Sequence, residues 1–377
     1  MKIIKPEVKH GIVHRYPDNV MQNYNGWPTV AKDENGVLYA VASTMRLTHV
    51  DPCGVNGMWI SRDDGEHWSP TIILNNSNFD DRDTGITYMG NGKMGISWFT
   101  SVAPDNWLGM QDFDWFKGRA ADYCMGFSNM LKYVSDEERE KWNASFVMFS
   151  DDYGITWGDP IEVPVSAPHG FTQCRDGSLI YLGTSKEAKN PGRPEDGTGV
   201  ELYTSHDGGH TWEYTGSVLR GNSIPDAFFC EPHVVELPSG RFMGTMRVHA
   251  TGCLEGTVYV TYSDDKGKTW SQPERIDETV DGMPPHILVH SSGAVIVSYG
   301  CRVEGKRAEK AVVSYDEGKT WTENYVLDDR IDSCNQKDMG YPATVELSDG
   351  SLLTLYYQGL DKDWYTSILY TKWKLEK

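Results

Sequence analysis

The sequence is poor in positive charge and has no long apolar segment. Its 377 residues carry 35 Lys and Arg against 54 Asp and Glu, a formal net charge of −19, and the basic residues form no block. This balance argues against binding to nucleic acid or to an anionic membrane surface. No stretch reaches the roughly 18 apolar residues of a membrane-spanning helix, and residues 1–14 contain no apolar run of signal-peptide length. We therefore expect a soluble, cytoplasmic protein.

Paired cysteines are also missing. The seven cysteines are irregularly spaced and include no C-x-x-C pair, which disfavours both a zinc site and a disulfide framework. Glu231-x-His233 is a spacing that suggests metal ligands, but no second pair supports it. We predict reduced thiols, no bound metal and no cofactor. The oligomeric state stays open, a homo-oligomer included.

What the sequence does contain is a repeated eight-residue pattern that keeps Ser, Asp, Gly and Trp at fixed places. Its five copies, called Asp-boxes below, are Ser61–Trp68, Ser150–Trp157, Ser205–Trp212, Ser263–Trp270 and Ser314–Trp321. Short polar residues closed by Trp predict a self-hydrogen-bonded turn whose indole ring packs on a neighbouring strand. The box aspartates are therefore predicted to be structural. Repeats at this period indicate an array of small sheets.

A second repeat marks hairpins, each with a turn glycine followed two positions later by an apolar residue. The six turn glycines are Gly36, Gly92, Gly177, Gly240, Gly293 and Gly350. Six hairpins predict an all-β, six-bladed β-propeller that uses residues 1–377 as a single domain. The sixth hairpin has no Asp-box after it. Its outer strands are predicted at Ser367–Leu375 and, from the other terminus, Val8–His14, which would close the ring.

The first two Asp-boxes are unusually far apart because of an insertion at about residues 101–142, in blade two. The insertion is rich in aromatic residues, and a capping-box signature at Ser135 and Glu138 predicts a short helix, which makes the insertion partly helical. Its aromatic residues are Trp107, Phe113, Trp115, Phe116, Tyr123 and Phe127. An aromatic lid over the site, a dimer contact and plain loop packing are the alternatives for this segment.

The hairpins also indicate where a site would form. Counting back nine residues from each turn glycine gives equivalent positions on the innermost strands: Trp27, Asp83, Pro168, Glu231, Pro284 and Tyr341. Strand alternation adds His233 and His286, and His169 follows Pro168. The returning strands bring Arg46, Arg247 and Arg302 to the same mouth of the central channel.

At these residues the sequence resembles the sialidase (neuraminidase) superfamily of six-bladed propellers. The segment from Glu231 to Arg241, running on to Arg247, looks like the stretch joining the nucleophile's glutamate partner to an arginine of the carboxylate-binding triad. Gly340-Tyr341-Pro342, followed by Leu347–Gly350, looks like the segment that carries the tyrosine nucleophile. Arg302 sits where the family places its last triad arginine, with Arg307 as a nearby competitor.

The family's acid/base aspartate comes from the region that here contains Asp51, with Asp83 as the main rival. One departure concerns the first triad arginine, since Gly26-Trp27-Pro28 stands where the family has Arg-Ile-Pro. Trp27 cannot bind a carboxylate as an arginine does. Arg46 or Arg82 could substitute for it in space. This change and the additional histidines suggest a different acidic or hydroxyl-rich sugar.

The resemblance implies an exo-acting glycoside hydrolase that releases a terminal acidic sugar, a sialic acid or a related ulosonic or uronic acid, from an oligosaccharide. Tyr341 would be the nucleophile, with retention of configuration, and Glu231 the base that takes its proton. Arg247 and Arg302 would anchor the carboxylate. The alternatives are a lyase that acts on uronic acids with a histidine and Tyr341, and a glycan-binding propeller without catalysis. If these residues have structural roles only, Glu231 and Arg247 form an ion pair between two strands of one hairpin, and Asp51 is a turn residue.

Overall fold

Six sheets, each of four or five strands and antiparallel apart from one terminal strand, form the blades of a propeller. The computed structural model describes residues 1–17, 20–102, 125, 126, 129, 131–185, 197–221, 227–249 and 256–376. The all-β, six-bladed architecture predicted from the hairpins is confirmed. No helix among the described residues is long and apolar enough to cross a membrane.

Each blade runs outward from an inner strand that faces the channel. The strands are β1 (Lys2–Ile4), β2 (Lys9–His14), β3 (Tyr24–Lys32), β4 (Leu38–Arg46), β5 (Val55–Ser61), β6 (Ile72–Asn75), β7 (Asp80–Gly90), β8 (Lys93–Ser101), β9 (Ser145–Ser150), β10 (Ile161–Val163), β11 (Val165–Ser166), β12 (Thr172–Gln173), β13 (Leu179–Ser185), β14 (Gly197–Ser205), β15 (Glu213–Leu219), β16 (Phe228–Glu236), β17 (Phe242–His249), β18 (Thr257–Ser263), β19 (Glu274–Arg275), β20 (His286–Val289), β21 (Val295–Cys301), β22 (Ala308–Ser314), β23 (Glu323–Asp328), β24 (Met339–Glu346), β25 (Leu352–Gly359) and β26 (Thr366–Trp373). Blades one and two have the strand orders β3-β4-β5-β6 and β7-β8-β9-β10, and blade four has β16-β17-β18-β19. In blade three both β11 and β12 pair with β13, which leads on to β14 and β15.

The ring closes with strands from both ends of the chain. In blade six, β24-β25-β26 is completed by β2, which pairs antiparallel with β26 from Lys9 to His14. This closure was predicted, with the strand starting one residue earlier. The sequence analysis did not predict β1, which pairs in parallel with β23 and adds a fifth strand to blade five.

The Asp-boxes form the predicted structural turns. In the second box, Ser150 Oγ accepts a hydrogen bond from the Gly154 N–H at 2.9 Å, and Asp152 Oδ1 accepts one from the Thr156 N–H at 2.8 Å. The Trp157 indole N–H donates to the Gly154 carbonyl at 3.2 Å, and its ring packs on the cluster between blades one and two. The other four box aspartates accept the equivalent backbone N–H.

Part of the insertion in blade two can be described. Helix α1 (Asp136–Trp142) begins after Ser135, whose hydroxyl accepts a hydrogen bond from the Glu138 N–H, as the capping signature predicts. A 3-10 helix also occurs at Arg330–Ser333. The six aromatic residues named for the insertion lie outside the described residues, so the lid, dimer and packing hypotheses stay predictions.

Four of the six inner strands share a local irregularity that positions the site. Trp27, Asp83, Glu231 and Tyr341 have φ values of 58°, 54°, 49° and 54°. Each lies where the pairing with the next strand shifts register, as in a β-bulge. Positive φ is costly for residues other than glycine and is typical of functional sites, where a bulge re-aims a side chain. The equivalent positions in blades three and five are Pro168 and Pro284, whose ring prevents this conformation.

Candidate active site

A cavity of about 350 Å³ opens where the inner strands begin. Its lining contains most of the charged residues singled out in the sequence. The residues that line it are His49, Arg82, Asp83, Phe99, Ser166, Ala167, Pro168, Thr184, Cys230, Glu231, Arg247, Arg302 and Tyr341. All six blades or their loops contribute to this lining; of the six positions counted back from the turn glycines, Asp83, Pro168, Glu231 and Tyr341 line the cavity and Trp27 and Pro284 do not.

Tyr341, Glu231 and Arg247 form one hydrogen-bonded chain across the cavity. The Tyr341 hydroxyl donates to Glu231 Oε1, and Arg247 Nη1 donates to Glu231 Oε2 at 2.8 Å. Arg247 Nε also donates to His249 Nε2 at 2.6 Å. Burial, together with the Glu231 carboxylate, raises the pKa of Tyr341 well above its usual value, although Arg247 opposes this. The phenol is therefore neutral at rest, and its proton already points to a carboxylate that can accept it.

Arg302 supplies a second guanidinium beside Tyr341, with its Cζ 5.9 Å from the centre of the Tyr341 ring. Two hydrogen bonds fix the position of this guanidinium: its Nε and Nη2 donate to the Met339 carbonyl at 3.0 and 2.8 Å. Nη2 also donates to the Tyr357 hydroxyl at 3.2 Å. Arg307, the competitor for this role, instead pairs with Asp332 at 3.0 Å and does not line the cavity.

Arg46 and Arg82, the two candidates to replace the missing triad arginine, differ in whether a ligand can reach them. Arg46 is fully buried, and its Nη1 and Nη2 bind the Asp80 carboxylate at 2.6 and 3.1 Å, so it is not available to a ligand. Its predicted place at the mouth is therefore wrong. Arg82 lines the cavity, with its Cζ 4.3 Å from the centre of the Trp27 ring. Its Nε is buried without a hydrogen-bond partner among the described residues. Trp27 itself is buried and acts as a platform for both guanidinium groups.

Asp51 and Asp83, the two candidates for the acid/base residue, also differ in position, since only Asp83 lines the cavity. The Asp51 carboxylate is buried, accepts hydrogen bonds from the Leu47 and Cys53 N–H groups at 2.7 and 3.0 Å, and is absent from the cavity lining. Its geometry is that of a structural turn, which contradicts the expected acid/base role. Asp83 lines the cavity, and its Oδ1 is buried without a hydrogen bond among the described residues. Burial, then the nearby Glu231 charge, raises the pKa of Asp83 to about 7 despite Arg82.

The three predicted histidines do not reach the cavity. His169, His233 and His286 are buried and pack on one another with ring centres 4.6 to 5.8 Å apart. Nδ1 of His233 accepts the Ile287 N–H at 3.0 Å, and Nδ1 of His286 accepts the Thr344 N–H at 3.3 Å. Burial lowers the pKa of His233 to about 4, and it also holds the pKa of His169 and of His286 well below the usual value. These buried rings pack on one another outside the cavity lining, which contradicts their predicted role in substrate binding.

Sequence reasoning missed a different histidine. His49 lines the cavity and pairs with Asp338 through Nδ1 at 2.7 Å. Both residues lie outside the repeated strands, so no spacing pointed to them; the nearest signal was the position of Asp338 just before Gly340-Tyr341. Cys230, next to Glu231, also lines the cavity. Among the described residues, no group of three His, Cys, Asp or Glu is arranged to hold a metal ion.

Residues 129–354 match a family model described as a BNR repeat-like domain. The chain belongs to this family. With six blades and five Asp-boxes, it is a sialidase-like BNR propeller, as the sequence resemblance predicted. No curated protein matches this chain.

Solved structures share the fold of this BNR repeat-like propeller at low sequence identity. A protein of unknown function from Dyadobacter fermentans has a TM-score of 0.73 and 20% identity, with 98% of this chain and 99% of that chain covered. The intramolecular trans-sialidase from Ruminococcus gnavus has a TM-score of 0.65 and 15% identity, with 96% and 97% covered. An α-L-arabinanase from Penicillium chrysogenum has a TM-score of 0.62 and 14% identity, with 98% and 99% covered.

Proposed function

We propose that this protein is a glycoside hydrolase that removes a terminal acidic sugar from an oligosaccharide, with retention, through Tyr341. The observation that carries the proposal is the hydrogen bond from the Tyr341 hydroxyl to Glu231 in a cavity that also presents Arg247 and Arg302. The fold similarity to a sialidase and an arabinanase supports a glycosidase. A cavity of about 350 Å³ suits a terminal sugar unit better than a long chain.

The three arginines would hold the sugar's carboxylate. Arg247 and Arg302 flank Tyr341, and Arg82 lies on the Trp27 ring where the family's first arginine is missing. Guanidinium groups suit this task because their planar donors match the two carboxylate oxygens. The overall charge of −19 would repel an anionic ligand, so this local cluster has to supply the attraction.

Two steps complete the reaction. In the first, the Tyr341 oxygen attacks the anomeric carbon while its proton passes to Glu231, and Asp83 protonates the departing glycosidic oxygen. In the second, Asp83, now a carboxylate, takes a proton from water, the water oxygen attacks the same carbon, and Tyr341 leaves and recovers its proton from Glu231. A neutral phenol approaches a negatively charged sugar more easily than a carboxylate nucleophile does.

The decisive experiment is the substitution Tyr341→Phe, assayed on chromogenic glycosides of N-acetylneuraminic acid and of uronic acids. We expect turnover to fall at least about 10³-fold, because the nucleophile is removed while the ring packing remains. Tyr370→Phe is the matched control. Tyr370 is a buried tyrosine of the same blade that lies outside the cavity lining, so activity should persist. An active Tyr341→Phe enzyme would remove the nucleophile from the proposal.

The same assay separates the two alternative functions. The lyase hypothesis needs a histidine at the reacting carbon; the three predicted histidines lie outside the cavity lining, whereas His49 belongs to it, so the product has to decide between hydrolysis and elimination. A product that gains ultraviolet absorbance from a new double bond would nevertheless place the reaction in the lyase class. Binding of an acidic sugar by calorimetry with no product after long incubation would indicate a glycan-binding propeller.

A further inference from the structure

His49 occupies a place in the cavity that the resemblance does not assign. It follows β4 in the chain, lines the cavity, and its side chain is 35% exposed. Its ring meets Trp27 edge-on, with ring centres 5.1 Å apart, while Arg82 lies over the same indole. His49 and Arg82 therefore both pack against Trp27, the residue that stands where the family has its first triad arginine.

The orientation of His49 is set by Asp338. The imidazole Nδ1 lies 2.7 Å from Asp338 Oδ2, and Arg46 Nη2 donates to the His49 carbonyl at 3.1 Å, which holds the loop. A carboxylate bound to Nδ1 requires a proton on that nitrogen. Nε2 is then the ring nitrogen left for a ligand.

Asp338 is built to stay ionised. The hydroxyls of Tyr24 and Tyr357 both donate to it, the latter at 2.8 Å, and Arg302 Nη2 lies 4.0 Å away. Burial raises its pKa, but the charge and hydrogen bond of His49, the Arg302 charge and the Tyr24 hydroxyl hold it far below the usual value. The Asp338 carboxylate therefore fixes the orientation of the imidazole through Nδ1.

We propose that protonated His49 binds the carboxylate of the acidic sugar through Nε2–H and so, with Arg82, replaces the first arginine of the triad. This inference rests on the proposed function and adds a titratable group to it. Binding of an acidic ligand then weakens as pH rises and the imidazole loses its proton, whereas binding of a neutral sugar does not.

Other charged or titratable groups contact either His49 or its partner Asp338 from the neighbouring elements. They are Tyr24 on β3, Arg46 on β4, Arg302 after β21, Asp338 before β24 and Tyr357 on β25. The two arginines are charged at all pH values of interest, burial raises the pKa of both tyrosines far above neutrality, and Asp338 is ionised. Histidine is the residue type in this set that ordinarily changes charge near neutral pH.

The test compares wild type, His49→Gln and His49→Lys by calorimetry with N-acetylneuraminic acid, glucuronic acid and, as a neutral ligand, methyl glucoside. At pH 5.5 we expect His49→Gln to weaken binding of the acids about tenfold or more, since a charge-assisted hydrogen bond is lost. At pH 8 it should differ little from wild type. His49→Lys should lose less affinity for the acids than wild type between pH 5.5 and pH 8, because its amine stays charged while Asp83, in the same cavity, ionises in both proteins. Methyl glucoside should bind all three proteins alike.

A control variant and the wild-type affinities distinguish a failure of the His49 role from a failure of the proposed function. His10→Gln changes a histidine that bonds Thr371 on the outer strands, away from the cavity lining, and should behave as wild type. If wild type binds either acid but His49→Gln matches it at both pH values, the role of His49 is refuted and the proposed function survives. If wild type binds neither acid better than methyl glucoside, the proposed function fails, and the inference fails with it.

Discussion

Asp83 is the residue whose environment most clearly serves chemistry at the expense of stability. It is buried, its Oδ1 has no hydrogen bond among the described residues, and burial raises its pKa to about 7. A general acid is most effective when its pKa lies near the working pH. An aspartate held in this way remains protonated in mildly acidic solution, where an ordinary carboxyl group would be ionised.

The first prediction concerns activity in Asp83→Asn. We expect kcat/KM of wild type to fall as pH rises through about 7, because the acid loses its proton there. In Asp83→Asn the part of this alkaline limb that comes from Asp83 should disappear, leaving the loss of acidic-substrate binding proposed for His49, and the rate on natural glycosides should drop about 10² to 10⁴-fold. Nitrophenyl glycosides, whose leaving group needs no proton, should lose far less. Equal losses on both substrate types would argue that Asp83 only positions other groups.

The second prediction concerns the stability of the same variant. A carboxyl group whose pKa is raised by folding destabilises the folded state once it ionises, so the penalty begins near pH 4 and is complete above about pH 7. A shift from 3.8 to about 7 corresponds to at most about 4 kcal/mol. Asp83→Asn should therefore unfold at a higher denaturant concentration than wild type at pH 8, and at nearly the same concentration at pH 4. A variant less stable at both pH values would contradict this account.

At the scale of elements, the inner strands were the most predictable part of the molecule. The count back from the turn glycines found equivalent positions because every blade repeats one hairpin, and four of these residues do share the same positive-φ bulge. The sequence also contained the reason why the other two positions differ, since Pro168 and Pro284 cannot adopt positive φ. Proline at an otherwise equivalent position therefore identifies the blades that present no bulged side chain to the site.

Loops without a repeat were not predictable in the same way. Asp51 and His49 are two residues apart, yet the first is tied into a turn by backbone N–H groups and the second faces the cavity. Spacing along the chain cannot distinguish them, because the difference comes from Asp338, which is distant in sequence. The three buried histidines illustrate the same limit: His233 lies two residues after the bulge at Glu231, His286 occupies the equivalent position after Pro284, and His169 follows Pro168, yet all three are buried in the packed interior.

The Asp-box turns give a third prediction. Ser150 is buried, and its hydroxyl accepts the Gly154 N–H, so Ser150→Ala leaves a buried donor unpaired. We expect the unfolding free energy to fall by about 1–3 kcal/mol, with kcat unchanged because the box is outside the cavity lining. Asp151→Ala in the same box is the control. That side chain is 83% exposed and pairs only loosely with Lys93 at 3.5 Å, so chemical denaturation should show no difference from wild type.

At the scale of the whole molecule, the site depends on a closed ring. Tyr341 is in blade six, Glu231 is in blade four, and their hydrogen bond spans the channel. Blade six is completed by β2, which pairs with β26 and buries Val13. Without β2, β26 becomes an open edge strand, and an open edge of this kind promotes aggregation. The strand that closes the ring, β2, is thus the farthest strand of blade six from β24, which carries Tyr341, so it should contribute to stability more than to the geometry of the site.

The last prediction follows from this closure. Removal of residues 1–14 deletes both β1 and β2, whereas removal of residues 1–7 deletes β1 alone and leaves the β2–β26 pairs intact. The longer deletion should cost about 3–5 kcal/mol of unfolding free energy, at roughly 1 kcal/mol for each backbone hydrogen bond lost. At 20 °C the rate on glycosides should stay close to wild type, because β24 remains bonded to β25, but thermal inactivation and light scattering should both begin at lower temperature. The shorter deletion should shift both onsets much less. Equal shifts for the two deletions would mean that the ring is held by β1 and blade five, and that β2 is only an edge cover.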